Sequence, residues 1–211
     1  MYDSKDSLIL VGAGGHAMAC IDAIESQELY SIVGLIGLAD EVGKVVCGYP
    51  VLGSDEDLEK IADRANYALV TVGTVDERER RLELIKWVIK LGFRAPTVIA
   101  KSAQVSPHAV IGAGAVVMHG VVINAGAQVG QHCVINSQAL IEHEARIADY
   151  THVSTGVCVN GNATVGENSF IGSGTVIRNN ISVGGNCFIG MTQSVIRNIP
   201  DNTRVIDSSH C

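Results

Sequence analysis

From Ile99 onward, every sixth residue is Val or Ile: Ile99, Val105, Ile111, Val117, Ile123, Val129, Ile135, Ile141, Ile147, Val153, Val159, Val165, Ile171, Ile177, Val183, Ile189 and Val195. Two places earlier stands a mostly small residue, as at Ala103, Ala115, Ala127, Cys133, Ala139 and Ala163. One place later, glycine recurs at Gly112, Gly130, Gly166, Gly172, Gly184 and Gly190. A period of six suits neither a helix nor an uninterrupted two-residue alternation. It suits short strands joined by turns, with the β-branched residue inward and glycine relieving strain at the corners. Three such strands close one coil, so Gly112, Gly130, Gly166 and Gly184 should stack, and coils about 4.8 Å apart build a prism about 25 Å tall. Composition agrees: 47% of residues are hydrophobic but only 4% aromatic, so the core must be Val, Ile, Leu and Ala.

The repeat divides the chain into residues 1–98, an α/β domain, and residues 99–211, the prism. A net charge of -7 offers no attraction to nucleic acid or anionic membranes. Asp3, Lys5 and Asp6 precede only a short apolar run, Leu8 to Val11, which is neither a signal peptide nor a membrane span. The six cysteines form no CxxC pair and read as reduced, buried small residues of a cytoplasmic protein, with no metal expected.

In the front domain, Leu8 to Val11 reads as a buried strand leading into Gly12-Ala13-Gly14-Gly15-His16-Ala17 and a helix to about Glu25. A second strand spans Ile32 to about Leu38 and ends near Asp40 and Glu41, and a third spans Ala68 to Val72, stopped by Gly73. Asp76 to Leu91 reads as an amphipathic helix with Leu82, Ile85, Val88 and Ile89 on one face, closed by Gly92. Alternating strands and helices imply a small Rossmann-like parallel sheet with ligands at the carboxyl ends of its strands. The loop matches G-x-G-x-x-A, whose glycines let backbone N–H groups at a helix start approach a phosphate. A mononucleotide or sugar nucleotide suits so small a domain better than NAD, because Asp40 stands too far along for the ribose-binding acid. A purely structural glycine turn is the other reading.

The GAGGHA loop, the acidic end of the second strand, the run Gly48-Tyr49-Pro50-Val51-Leu52-Gly53 and the prism together resemble the bacterial sugar acetyltransferases. That family contains UDP-4-amino-sugar N-acetyltransferases and sialic acid O-acetyltransferases, and the likeness spans about residues 8 to 203. It implies a left-handed parallel β-helix, acetyl-CoA as co-substrate, a role in glycan biosynthesis, and homotrimers with active sites between subunits. By motif position it implies that Gly14, Gly15, His16, Asp40 and Gly73 touch a nucleotide-linked sugar, UDP being the expected nucleotide.

Of His108, His119, His132, His143 and His152, His143 stands apart: it lies in Ile141-Glu142-His143-Glu144, at a strand-to-turn corner and between two carboxylates. A carboxylate beside an imidazole stabilises its protonated form and orients the ring, although neighbours in an extended strand point apart. Acetyl transfer needs a base, because the attacking amine or hydroxyl must lose a proton. The resemblance implies that His143 is that base, that Glu144 raises its basicity, and that His152, nine residues on, contacts acetyl-CoA. It extends more weakly to Ser173 and Met191 as further cofactor contacts. Direct transfer is expected, since no Cys or Ser near His143 carries a nucleophile's signature, and Cys158 reads as packing.

One departure stands out. Family chains commonly close with Gly-x-Pro-Ala-Lys over CoA, whereas this chain runs Ile199-Pro200-Asp201-Asn202-Thr203-Arg204 and ends Asp207 to Cys211 without it. Three competing readings remain: O-acetylation of sialic acid, a non-catalytic nucleotide-sugar-binding partner, and a metal-dependent hydratase on the same prism. The last needs three converging histidines at spacings this chain lacks.

Overall fold

A computed structural model describes residues 5–73 and 78–206. Asp3, the expected helix start at Asp76 and Glu77, and the tail from Asp207 to Cys211 lie outside the described residues. The chain divides into two compact units, Met1–Pro96 and Thr97–Cys211.

The first unit runs β1 (Asp6–Val11), α1 (Gly15–Gln27), β2 (Tyr30–Gly37), β3 (Val45–Val46), β4 (Tyr49–Ser54), a 3₁₀ segment (Asp55–Arg64), β5 (Tyr67–Val70) and α2 (Arg78–Lys90). The sheet order is β3-β4-β2-β1-β5, parallel throughout except for the β3–β4 hairpin at one edge. The centre of β1, Leu8 to Val11, is fully buried, as the continuous apolar run of a parallel strand requires. Cys47 and Gly48, both at positive φ, make the two-residue hairpin turn, so Cys47 is exposed and not buried as the sequence suggested.

α2 differs from expectation in which face it buries. Arg81, Leu84, Ile85 and Val88 are buried, while Leu82 is half-buried and Ile89 exposed. Its sequence offers two overlapping stripes at helical spacing, and packing selects the one containing Leu84. Gly92, at φ +87, ends the helix: its N–H donates to Ile89 O, and Phe93 N–H donates to Val88 O.

The second unit is a three-sided parallel β-helix of two-residue strands running from Val98–Ile99 to Arg204–Val205. Sheet one stacks the strands beginning at Gln104, Val122, Leu140, Cys158, Val176 and Ser194. Sheet two stacks those beginning at Val110, Gln128, Arg146, Thr164 and Ser182, and sheet three those at Val98, Val116, Val134, His152, Phe170, Phe188 and Arg204. Register steps by one whole coil, as in Ile123 to Ile141 to Val159, and every sixth position from Val117 to Val195 is buried.

The corners refine the expectation about glycine. The left-handed residue lies three places after the inward one, at Gly114, Gly120, Gly126, His132, Gln138, Glu144, Tyr150, Gly156, Asn162, Asn168, Gly174, Asn180, Asn186 and Thr192. That conformation turns the N–H along the prism axis, so Glu144 N–H donates to Ala125 O, and Asn162 N–H donates to His143 O. The glycines one place after the inward residue serve close stacking instead. A Cβ on Gly112 would sit 2.5 Å from the carbonyl carbon of Gly130, and one on Gly172 the same distance from that of Gly190. Gly112→Ala should therefore cost about 2 kcal/mol in urea denaturation. Gly156→Asn, at a left-handed corner with nothing within 4 Å, should stay near wild type.

Candidate functional site

The first unit holds a cleft of about 490 Å³ at the carboxyl ends of β1, β2 and β5. Its wall is the loop from Gly12 to His16, with Ile36 to Leu38, Glu41, Asp55, Thr71 to Gly73, Arg80 and Leu84 around it. The loop's glycines have different reasons to be glycine. Gly12, at φ +119, has Val72 N only 2.9 Å from where a Cβ would stand, and its carbonyl accepts the Thr71 hydroxyl at 2.8 Å. Gly14, Gly15 and Gly73 have ordinary φ values and open space beside them, so nothing among the described residues demands glycine there. Gly14 caps α1 without a side-chain hydrogen bond, and no acidic residue stands in the first turn, so the helix start offers backbone donors into the cleft.

His16 lies one helical turn before Cys20, whose Sγ is 3.6 Å from its Nε2. Burial, helped by the positive charge of Arg81, lowers the His16 pKa to about 4. Burial also raises the Cys20 thiol to about 12. A protonated thiol against Nε2 fits a neutral imidazole that carries its proton on Nδ1. Asp40, expected at the substrate, lies outside the cleft lining with its carboxylate 3.8 Å from Lys44 Nζ. The lining acid is its neighbour Glu41, whose Oε2 accepts the Leu38 N–H at 2.8 Å. An extended reading of the chain after β2 misses the 3₁₀ turn Ala39–Glu41 that makes this exchange. Asp55 and Arg80, an ion pair in the lining, were not singled out in the sequence; the signal for Asp55 is its place directly after a parallel strand.

In the second unit His143 projects from the corner between sheets one and two, with its side chain 59% exposed. Its Nδ1 is 3.5 Å from Glu144 Oε2, an ion-pair distance longer than a hydrogen bond. The left-handed backbone of Glu144, at φ 59, is what lets two consecutive side chains meet. The imidazole lies over Gly161, one coil further on. A Cβ there would come within 2.6 Å of both Cε1 and Nε2, and 3.2 Å from the Asn179 amide.

His152 is elsewhere. It points outward from sheet three, is buried, and meets Phe170 edge-on at 5.3 Å. Ser173 and Met191 stack at the corner between sheets three and one, where the Ser173 hydroxyl is 2.9 Å from that of Ser154 and Met191 is 69% exposed. The structure thus stacks Ser173 and Met191 at one corner of the prism and places His152 on the adjoining face of sheet three. It leaves His143 at the corner opposite sheet three. Among the described residues, no three of His, Cys, Asp and Glu converge as a metal-binding group.

The chain is thus a two-part protein, a glycine-loop α/β unit followed by a repeat-built prism with a carboxylate-flanked corner histidine. Residues 7–85 match the family model of the PglD N-terminal domain. A histidine-to-asparagine variant of perosamine N-acetyltransferase from Caulobacter crescentus, in complex with CoA and GDP-perosamine, is 27% identical, with a TM-score of 0.89 over 96% of this chain and 94% of that one. The acetyltransferase domain of PglB from Neisseria gonorrhoeae FA1090 is 30% identical, with a TM-score of 0.86 over 95% of this chain and 96% of that one. WeeI from Acinetobacter baumannii AYE shares the fold at 21% identity and a TM-score of 0.82, over 96% and 98% of the two chains. The chain belongs to the bacterial sugar acetyltransferases of the hexapeptide-repeat type, and its prism is a left-handed parallel β-helix.

The His16 shift has a testable sign. Its folded pKa, about 4, lies below the ordinary value near 6.5, so the unfolded chain takes up the proton first. Stability should be unaffected above about pH 6.5 and decline as pH falls toward 4, by about 3 kcal/mol from this residue. Urea titrations of wild type and His16→Gln across that window should converge as pH drops.

Proposed function

We propose that this chain moves the acetyl group of acetyl-CoA to the amino group of a sugar carried on a nucleoside diphosphate, with UDP favoured, and that His143 is the general base. The observation that carries the reading is the exposed imidazole over Gly161 with a carboxylate at Nδ1. Held so, Nε2 faces the acceptor. The amine nitrogen attacks the thioester carbonyl, Nε2 takes the proton, and Glu144 stabilises the imidazolium. The tetrahedral intermediate then collapses, the C–S bond breaks, and CoA leaves as the thiolate, which the imidazolium can reprotonate. We read the transfer as direct, with Cys158 in register between Leu140 and Val176 on the outer face of sheet one.

His152, Ser173 and Met191 are the cofactor contacts in this proposal. Gly14, Gly15, His16 and Gly73 border the nucleotide sugar, with Glu41 in the place expected of Asp40. The GDP-perosamine and CoA complexes of the Caulobacter relative support both ligands. No helix among the described residues is long and apolar enough to cross a membrane. We place the chain in the reducing cytoplasm, where thiols such as those of Cys20, Cys47 and Cys158 stay reduced.

The positions of the two histidines support a homotrimer. The corner carrying His143 and the corner carrying Ser173 and Met191 bound the same sheet, sheet one. If three copies turn that sheet toward a common axis, the base corner of one meets the cofactor corner of the next. Sheet one carries the outward column Val122, Leu140, Cys158 and Val176, with Val176 43% exposed.

Thiol release from acetyl-CoA should appear with a UDP- or GDP-linked amino sugar. Turnover with CMP-sialic acid alone would move the assignment to O-acetylation, and none with any acceptor would leave a binding protein. His143→Ala should lower turnover at least about 100-fold while nucleotide binding persists. Gly161→Ala should displace the imidazole and cost about tenfold or more in turnover with the fold retained. Refolding His143→Ala together with His152→Ala should restore about a quarter of wild-type activity, because mixed trimers contain sites built from the two intact histidines. No recovery would mean that each chain carries its own site.

A further inference from the structure

Arg80 and Asp55 reach the cleft from opposite flanks of the sheet. Asp55 directly follows β4 and Arg80 belongs to the first turn of α2 after β5, while β2 and β1 lie between those strands. Their ion pair, Arg80 Nη2 to Asp55 Oδ2, therefore spans the carboxyl ends of the two central strands, over the floor formed by the glycine loop. The side chains are 47% and 28% exposed, and a pair so placed contributes little to stability. Its position is better explained by what enters the cleft.

Among the described residues lining the cleft, Arg80 is the only permanent cation. His16 is held neutral, and Glu41 is turned to the Leu38 N–H. Open space at Gly14, Gly15 and Gly73 and the uncapped start of α1 leave room and backbone donors for an anion facing the guanidinium. Arginine suits this task because its planar fork can hold a carboxylate on one edge and phosphate oxygens on another. Among the described residues, Glu83 Oε2 also approaches the guanidinium, 3.7 Å from Nη1.

Resting on the nucleotide-sugar reading of this cleft, we infer that Arg80 reads the anionic group of the substrate, the diphosphate, and that Asp55 holds the guanidinium across the cleft until the phosphates arrive. A sugar carboxylate offers the same chemistry from a different part of a substrate, and the test separates the two.

Calorimetric titrations of UDP, GDP, uridine, guanosine and free sialic acid into wild type, Arg80→Ala and Arg80→Lys decide the matter. Arg80→Ala should weaken the preferred nucleoside diphosphate about ten- to hundredfold, leave the matching nucleoside unchanged, and leave the KM for acetyl-CoA unchanged. Arg80→Lys, which keeps the charge but loses the fork, should fall between. Equal loss for nucleoside and diphosphate, or loss for neither, would overturn the role of Arg80 while leaving the cleft's nucleotide reading intact. A selective loss for sialic acid would assign Arg80 to a sugar carboxylate and overturn the phosphate reading. Wild type that binds none of the nucleotides would overturn the nucleotide reading itself, and the role of Arg80 with it.

Discussion

The structure depends on the stacking of each coil on the one before, with Val and Ile columns inside and backbone hydrogen bonds running along the axis. Every inward residue from Val117 to Val195 is buried by its neighbours one coil away. Most of a coil is therefore committed: the inward residue to the core, the small residue beside it to a narrow interior, and the strand N–H and C=O groups to adjacent coils. What remains variable is the outer surface and the two turn residues of each corner. Chemistry on such a scaffold has to sit there.

The corner at His143 and Glu144 shows how a structural necessity shapes a candidate site. Every corner in this series needs a left-handed residue to direct an N–H along the axis, and most use Gly or Asn. Glu144 occupies that place despite the steric cost of φ 59, and the same backbone turns its carboxylate toward Nδ1 of His143. One coil on, Gly161 leaves the space the ring fills. The glycine loop of the front unit divides the same two duties. Gly12 is required by the backbone beneath it, whereas Gly14 and Gly15 border empty space that a ligand can use.

Much of this was legible in the sequence because period and spacing are one-dimensional. The seventeen Val and Ile positions specify the coil, and stacked Gly112 and Gly130 follow from arithmetic on their numbers. The histidine between two acids was visible in the same way. Less legible were features set by choices of nearly equal local cost. α2 carries two apolar stripes offset by one residue, and only packing selects Leu84 over Ile89. Asp40 and Glu41 are adjacent acids, and a single 3₁₀ turn decides which lines the cleft. Asp55 and Arg80 stand twenty-five residues apart and meet through the order of the strands.

The amino-acid sequence by itself determined the prism, its handful of corner histidines and the glycine loop, because short-range sterics and a fixed repeat leave few alternatives. Only the tertiary structure decided that His143 and His152 lie on opposite sides of the prism. Nine residues carry the chain around a corner and onto the next face but one, so nearness in sequence becomes separation in space. The tertiary structure likewise set His16 neutral, since burial and the charge of Arg81 act on it from outside its own segment.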